Sequence, residues 1–233
     1  MRALTLRTAA VLAVVAAMVT PSAAAAASAP ADTRPLTHTL SVPTTGGHGP
    51  VQVSSPGSVS VDGEHYVPTP YSAQPNGYYC GPTSVHMALA LRGVSPGITA
   101  LARELGTTTE GTGPTPIVAA ALRSHTGAPY ETTVIPWNGG AISSTDIDRL
   151  WRNVVTDVDG GYAVVAYVYA PAHQYPYHDV AHPIEHYFVV DGYDTRYRTV
   201  RISDPADFDG RGRYWIPVDR LAYLVAGTPG YAW

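Results

Sequence analysis

The chain of 233 residues is 45% apolar and 14% charged, a composition that excludes a largely disordered or collagen-like protein and suffices for one globular domain. Its formal net charge is −4 and all 14 basic residues are arginine, so we expect no nucleic-acid partner and no lysine Schiff-base chemistry. Cys80 is the single cysteine, which excludes an intramolecular disulfide.

The first 29 residues have the pattern of a secretory signal peptide. Arg2 and Arg7 precede an apolar run over residues 9–19, and small residues suited to cleavage follow. An uncleaved membrane anchor is the alternative, but the apolar run is shorter than the ~20 residues that a spanning helix needs. We therefore predict a secreted protein that has no membrane anchor once residues 1–29 are removed.

Residues 30–58 are rich in Pro, Thr, Ser and Gly and show little apolar periodicity. This composition predicts a flexible lead-in or pro-segment, not a second domain. The pattern of a folded domain begins at Val59 and extends to residue 233.

Helices dominate the first part of the predicted domain, after a short hairpin that turns at Asp62-Gly63. A Ser-Pro pair at 95–96 marks one helix start, because serine is a frequent N-cap and proline fits the first helical position. The other helices are predicted to begin near Gly81, at Pro116 and at Thr145, the last capped by Ser144 or Thr145.

Cys80 lies where a loop rich in Gly and Pro gives way to an apolar-periodic run typical of an amphipathic helix. At a helix N-terminus, free N–H groups and the positive end of the dipole favour the nucleophilic thiolate. One helix end does not suffice to ionise a thiol at neutral pH, so we expect a base from elsewhere in the chain. The alternative is that Cys80 is only a small buried apolar residue.

The second part of the domain is rich in predicted strands. The run YAVVAYVYA is too short to span a bilayer and is typical of a buried strand. The runs HYFVVDGY, YRTVRISDP and GRYWIPV predict further strands, and DRLAYLV predicts a short last helix. Helices followed by antiparallel strands indicate an α+β fold.

The strands HYFVVDGY and YRTVRISDP form a predicted hairpin. If its turn centres on Thr195, Phe188 pairs with Ile202 and His186 pairs with Asp204 at the end of the same face. A carboxylate beside an imidazole fixes the tautomer and stabilises the protonated form, which is what the base of a nucleophile requires.

Three other polar residues are weaker candidates for roles at this site. The predicted pairing places Asp191 on the opposite face and Asp194 at the turn, so neither is expected to orient the histidine. His86 lies on the Cys80 helix about 240° around the axis from the thiol, which favours a structural or surface role.

The connection over residues 171–185 is rich in histidine and tyrosine. On a continuous helix its histidines would form a zinc-binding face, so a metal-dependent hydrolase is one alternative. Pro176 and Pro183 argue against such a helix. We expect no cofactor and predict that this loop forms a rim over the substrate cleft. The histidines concerned are His178, His182 and His186, which are spaced four residues apart, with His173 nearby.

The segments YVPTPYSAQPNGYYCGPTSVHMAL, HYFVVDGYD and ISDPA resemble the papain-like cysteine peptidases related to the bacteriocin-leader (double-glycine) processing peptidases. The resemblance covers roughly residues 64–225 and implies that Cys80 is the nucleophile, His186 the general base and acid, and Asp204 the orienting carboxylate. It also implies that Gln74, six residues before the thiol, donates its side-chain amide to an oxyanion hole.

The resemblance further implies a papain-like α+β fold and a stand-alone secreted enzyme that cuts amide bonds of a peptide or protein substrate. Tyr79 stands where many leader-processing members have aspartate, and no transporter segment follows, so leader specificity is not expected. A transpeptidase or transglutaminase-like acyl transferase and a catalytically inactive binding module on the same fold remain alternatives.

Overall fold

The computed structural model describes residues 59–233, and the predicted signal peptide and lead-in lie outside them. Within this range the chain forms helices α1–α5, strands β1–β8 and one short 3₁₀ helix. The helices are α1 (Cys80–Leu91), α2 (Ile98–Glu104), α3 (Thr115–Thr126), α4 (Ser144–Asp159) and α5 (Val218–Val225), and the 3₁₀ helix is Phe208–Gly210. The strands are β1 (Val59–Val61), β2 (Glu64–Tyr66), β3 (Thr132–Thr133), β4 (Val164–Ala170), β5 (Ile184–Asp194), β6 (Thr199–Ser203), β7 (Arg213–Pro217) and β8 (Tyr231–Ala232).

The described strands form one antiparallel sheet in the order β1-β2-β5-β4-β8-β3, with β6 pairing with both β5 and β7. β5 is the longest strand and pairs with β2, β4 and β6. The predicted α+β class, with the cysteine on a helix and the sheet in the C-terminal part, is confirmed.

Helices cover both faces of this sheet. Alternate residues of β4 point to opposite sides: Val164 belongs to an apolar cluster with α4 and α5, whereas Val165 belongs to one with α1, α2 and α3. Because both faces are covered, the strand is an almost continuous apolar run. Among the described residues, no helix combines the length and apolar character that a transmembrane span requires.

The predicted helix starts are shifted by one or two residues in the structure. α1 begins at Cys80 instead of near Gly81, and the N-cap of α2 is Gly97, not Ser95. The N-cap of α4 is Ser143, whose hydroxyl accepts a hydrogen bond from the backbone N–H of Asp146.

The predicted register of the β5–β6 hairpin is wrong. Ile202 pairs with Val190, not with Phe188, and the pairing shifts again between Val190 and Gly192, where Asp191 is left as an extra residue. Close to the predicted site the displacement is two residues, and an even displacement keeps every side chain on its original face. The face predicted to carry His186 and Asp204 is therefore retained although these residues are not direct partners.

The change in pairing between Val190 and Gly192 follows from the buried Asp191 carboxylate. It accepts hydrogen bonds from Arg201 Nε and Ser203 Oγ, each at 2.7 Å, and so fixes a bulge in β5. The hairpin loop, residues 195–198, is also centred between one and two residues further along the chain than the predicted centre at Thr195, because the paired strands end at Asp194 and Thr199.

Candidate active site

Cys80 is the first residue of α1 and is buried. The loop before α3 fixes this helix start: a Cβ added at Gly81 would lie 2.3 Å from Thr112 Oγ1, so only glycine fits there. The backbone N–H groups of Gly81 and Tyr187 both donate to the Cys80 sulfur. The thiol thus lies between the N-terminus of α1 and strand β5.

His186 lies near the start of β5 and is also buried. Its Nε2 is 2.8 Å from Oδ1 of Asp204, the residue that follows β6. Because an ionised carboxylate only accepts, the shared proton is on Nε2. Nδ1 of the same ring is then the nitrogen left to face the Cys80 thiol, with which His186 forms a side-chain hydrogen bond.

The environment of this pair favours a thiolate beside an imidazolium. Burial acts to raise the pKa of Cys80, but the hydrogen bond to His186, the charge of that ring and the two backbone N–H groups together lower the pKa below its ordinary value. Burial acts to lower the pKa of His186, but the charge and hydrogen bond of Asp204, with smaller effects of Cys80, raise the pKa to about 10.

Asp204 is almost fully buried and remains ionised because its neighbours compensate for the loss of water. Burial acts to raise its pKa, but the charge and hydrogen bond of His186 and the hydroxyls of Tyr175 and Tyr214 lower the pKa below its usual value. The sequence patterns did not single out these two tyrosines. Tyr175 is 29 residues and Tyr214 is 10 residues from Asp204, and no sequence motif connects them.

Gln74 lies on the segment that leads to Cys80 and that hydrogen bonds tie to the sheet. Its backbone N–H donates to the Pro205 carbonyl at 2.7 Å, directly after Asp204. Its side-chain Nε2 donates one hydrogen bond to the Asn76 carbonyl at 2.7 Å, which leaves the second amide proton for another acceptor. Its buried Oε1 has no partner among the residues that the structure describes.

The arginines of β6 and β7 hold this same segment. Arg201 Nη2 donates to the Val67 carbonyl at 2.7 Å, and Arg213 Nη2 donates to the Thr69 carbonyl at 2.6 Å. Tyr71 donates its hydroxyl to the Asp204 backbone carbonyl at 2.8 Å. The approach to Cys80 is therefore fixed by the strands that end beside Asp204.

The three other polar residues considered for roles at this site form their hydrogen bonds elsewhere in the fold. Asp191 is engaged by Arg201, and Asp194 Oδ1 accepts from the N–H groups of Arg196 and Tyr197 in the hairpin loop. His86 Nδ1 contacts the Pro96 carbonyl at 2.9 Å, consistent with a structural role.

The histidines of the loop between β4 and β5 do not converge. The loop is not helical, His173 pairs with Asp179, and His178 is buried against Phe208. Within residues 59–233 no group of three or more His, Cys, Asp and Glu side chains gathers to form a metal site. The middle of the loop is buried beside Asp204 through Tyr175, and its role as a rim over the substrate cleft stays a prediction.

Comparisons with known proteins agree with the family resemblance. A model described as the Peptidase_C39 like family matches residues 66–226. No protein with a curated description matches the chain.

Several solved structures are similar to this chain at low identity. A C39-like peptidase from Bacillus anthracis is 16% identical, with 71% of this chain and 93% of that chain covered and a TM-score of 0.49. A double glycine motif protease from an AMS/PCAT transporter, in complex with the leader peptide, is 16% identical over 72% and 90% of the chains, with a TM-score of 0.44. The peptidase domain of Streptococcus ComA, a bifunctional ABC transporter involved in quorum sensing, is 18% identical over 69% and 93%, with a TM-score of 0.44.

Proposed function

Since the chain belongs to the Peptidase_C39 like family, we propose that it is a cysteine peptidase that cuts peptide bonds through an acyl-enzyme on Cys80. The observation that carries the proposal is the continuous interaction from the Cys80 thiol, at the start of α1, through His186 to Asp204. All three residues are buried. Nucleophile, base and orienting group are the three parts that acyl transfer by a thiol requires.

The first half-reaction forms the acyl-enzyme. The lowered pKa of Cys80 and the raised pKa of His186 favour a thiolate beside an imidazolium, and attack by that thiolate on the substrate carbonyl needs no prior proton transfer. The tetrahedral intermediate collapses when His186 gives its proton to the leaving amine, which breaks the C–N bond and leaves a thioester.

The second half-reaction releases the product. His186 takes a proton from water, and the resulting hydroxide attacks the thioester carbonyl and expels the Cys80 thiolate. Asp204 holds the ring in one orientation during both steps and stays ionised itself.

Gln74 and the backbone N–H of Cys80 are the proposed oxyanion hole. The second proton of the Gln74 amide is the side-chain donor, and the connection of the Gln74 backbone to Pro205 fixes its segment relative to Asp204. Each such donor stabilises the tetrahedral oxyanion by ~3 kcal/mol in hydrolases where one has been removed.

We also propose that the enzyme acts outside the cell, on peptide or protein substrates. The support is the signal-peptide pattern of residues 1–29. Expression in a secreting bacterial host tests this: we expect the medium to contain protein whose first residue lies after the small-residue run, whereas full-length protein retained in the cell would argue against export.

A peptide-library digest tests the peptidase activity itself. The mature protein and Cys80→Ala are incubated with a fluorogenic peptide library at pH 7, and products are identified by mass spectrometry. We expect cleavage by the wild-type protein and none by Cys80→Ala. Cleavage that survives the substitution, or none by either protein under conditions where Cys80 is alkylated rapidly, would contradict the proposed function.

A further inference from the structure

The Asp204 carboxylate receives a complete set of hydrogen bonds. Oδ1 accepts from His186 Nε2 at 2.8 Å and from the Ala206 N–H at 2.9 Å. Oδ2 accepts from the hydroxyls of Tyr175 at 2.6 Å and Tyr214 at 2.7 Å. A carboxylate offers about four acceptor sites, so these donors of the described chain occupy all of them.

The two tyrosines reach Asp204 from separate parts of the fold. Tyr214 belongs to β7, and Tyr175 belongs to the loop between β4 and β5. Both are buried, at 2% and 4% exposure. The Tyr175 ring also packs edge-on against the His186 ring, with centroids 5.9 Å apart, so one residue contacts both members of the hydrogen-bonded pair.

Resting on the proposed function, we propose that Tyr175 and Tyr214 are positioning residues that clamp the Asp204 carboxylate in the one orientation that holds His186 for catalysis. Rotation of the carboxylate would break the bonds of the tyrosine clamp, Tyr175 and Tyr214, as well as the bond to His186. The clamp also opposes proton transfer from His186 to Asp204. A protonated carboxyl oxygen of Asp204 would face the N–H or hydroxyl donor that it now accepts from, and no acceptor for its proton. The clamp therefore keeps the proton on Nε2 and leaves Nδ1 for the thiol.

The loop that carries Tyr175 is itself anchored on α5. Gln174, the residue before Tyr175, accepts at its backbone carbonyl from Arg220 and at Oε1 from the Tyr223 hydroxyl at 3.3 Å. The position of Tyr175 is thus set by α5, a helix that supplies none of the hydrogen bonds to the Cys80 thiol or the His186 ring.

Other charged or titratable groups lie near Asp204 and are expected to stay in place when the clamp hydroxyls are removed. Tyr71 donates to the Asp204 backbone carbonyl, Asp207 follows in the same turn, and Arg213 stacks over the Tyr71 ring at 5.3 Å. Because these groups stay in place, a change in pH dependence caused by loss of the hydroxyls can be assigned to Oδ2.

Tyr175→Phe, Tyr214→Phe and the double variant test the clamp, since each removes one oxygen and keeps the ring. We expect kcat to fall about tenfold in each single variant and on the order of a hundredfold in the double variant, with KM unchanged. Removing donors raises the pKa of Asp204 and weakens its support of the imidazolium, so the acid limb of the kcat/KM profile should move to higher pH in the double variant. Tyr193→Phe, which removes a tyrosine hydroxyl that donates to a different carboxylate, that of Asp159 at 2.7 Å, is the matched control and should retain wild-type values.

A proton NMR measurement tests the clamp without any substrate. The His186 Nε2 proton, held against a buried carboxylate, should give a resolved resonance far downfield in the wild type and in Tyr193→Phe. We expect it to broaden or disappear in the double variant, a result that would support the clamp even if the protein cut no peptide. Loss of activity only in proportion to loss of folded protein, with the resonance and the acid limb unchanged, would overturn the proposal, as would kcat values within twofold of wild type.

Discussion

At the scale of single residues, the charge state of Cys80 is set by its contacts and not by exposure to water. The thiol is buried, which by itself opposes ionisation, yet its pKa is lowered because His186 and two backbone N–H groups stabilise the thiolate. The imidazolium is stabilised in turn by Asp204, which raises the pKa of His186 to about 10. Each charge of the site is therefore buried with a partner of opposite sign.

The proposed oxyanion donor can be separated from the activation of the thiol. Because the Gln74 side chain bonds to Asn76 and not to Cys80 or His186, we expect Gln74→Ala to leave the alkylation rate of Cys80 unchanged. The same variant should lower kcat by about 10²- to 10³-fold, since one donor to the tetrahedral oxyanion is lost. Equal losses in alkylation and hydrolysis, measured in parallel, would instead assign Gln74 a role in folding the site.

At the scale of secondary-structure elements, the start of α1 depends on the contact between Gly81 and Thr112. We expect Gly81→Ala to reduce the unfolding free energy by about 1–3 kcal/mol, because the new methyl group would overlap the threonine side chain. It should also slow alkylation of Cys80, since the Gly81 N–H that bonds the sulfur would move with the helix end.

Gly77→Ala is the matched control for this prediction. Gly77 lies on the same segment before Cys80, and a Cβ there would meet no atom within 4 Å. The unfolding free energy of Gly77→Ala, measured by urea denaturation, should stay within ~0.5 kcal/mol of the wild-type value. Similar losses in the two alanine variants would mean that the packing against Thr112 is not what fixes the helix start.

Hydrophobic patterns in the sequence predict these elements well but predict their pairing poorly. Apolar periodicity locates α1, α4, β4 and β5, because burial on one or both faces imposes the pattern. The register of β5 against β6 depends instead on the bonds of Asp191 to Arg201 and Ser203, which no local pattern encodes. His186 and Asp204 were still identified because the error was an even number of residues and preserved the face.

At the scale of the whole molecule, the site joins parts of the chain that are far apart in sequence. The nucleophile, the base and the orienting carboxylate lie in motifs that the sequence reveals, and their roles remain predictions. Tyr175 and Tyr214 could not be predicted, because their role arises only when a loop and a strand fold against the same carboxylate.

The charge state of the pair should also be visible in the pH dependence of stability. The stabilisation of protonated His186 is complete below the unfolded pKa of ~6.5 and is lost as the pH rises towards the folded pKa of about 10. In the wild type, ionisation of Cys80 opposes this loss, because a folded thiolate–imidazolium pair binds as many protons as the thiol and neutral imidazole of the unfolded chain between about pH 6.5 and 8.5. Cys80→Ala lacks this compensation, so its unfolding free energy should fall by about 1.4 kcal/mol per pH unit relative to the wild type.

Urea denaturation at several pH values measures this difference. We expect the advantage of the wild type over Cys80→Ala to grow steadily across the window. A difference that is independent of pH would show that Cys80 and His186 are both neutral in the folded protein.

The rate of Cys80 alkylation by iodoacetamide at pH 6, in the wild type and in His186→Ala, tests the central claim most directly. An unperturbed thiol is well under 1% ionised at this pH, whereas the lowered pKa of Cys80 beside the imidazolium of His186 increases the ionised fraction. The wild type should therefore react at least about tenfold faster than a free cysteine, allowing for the lower nucleophilicity of a low-pKa thiolate, and His186→Ala should lose that advantage. A wild-type rate no faster than that of free cysteine, or one unchanged by His186→Ala, would contradict the account.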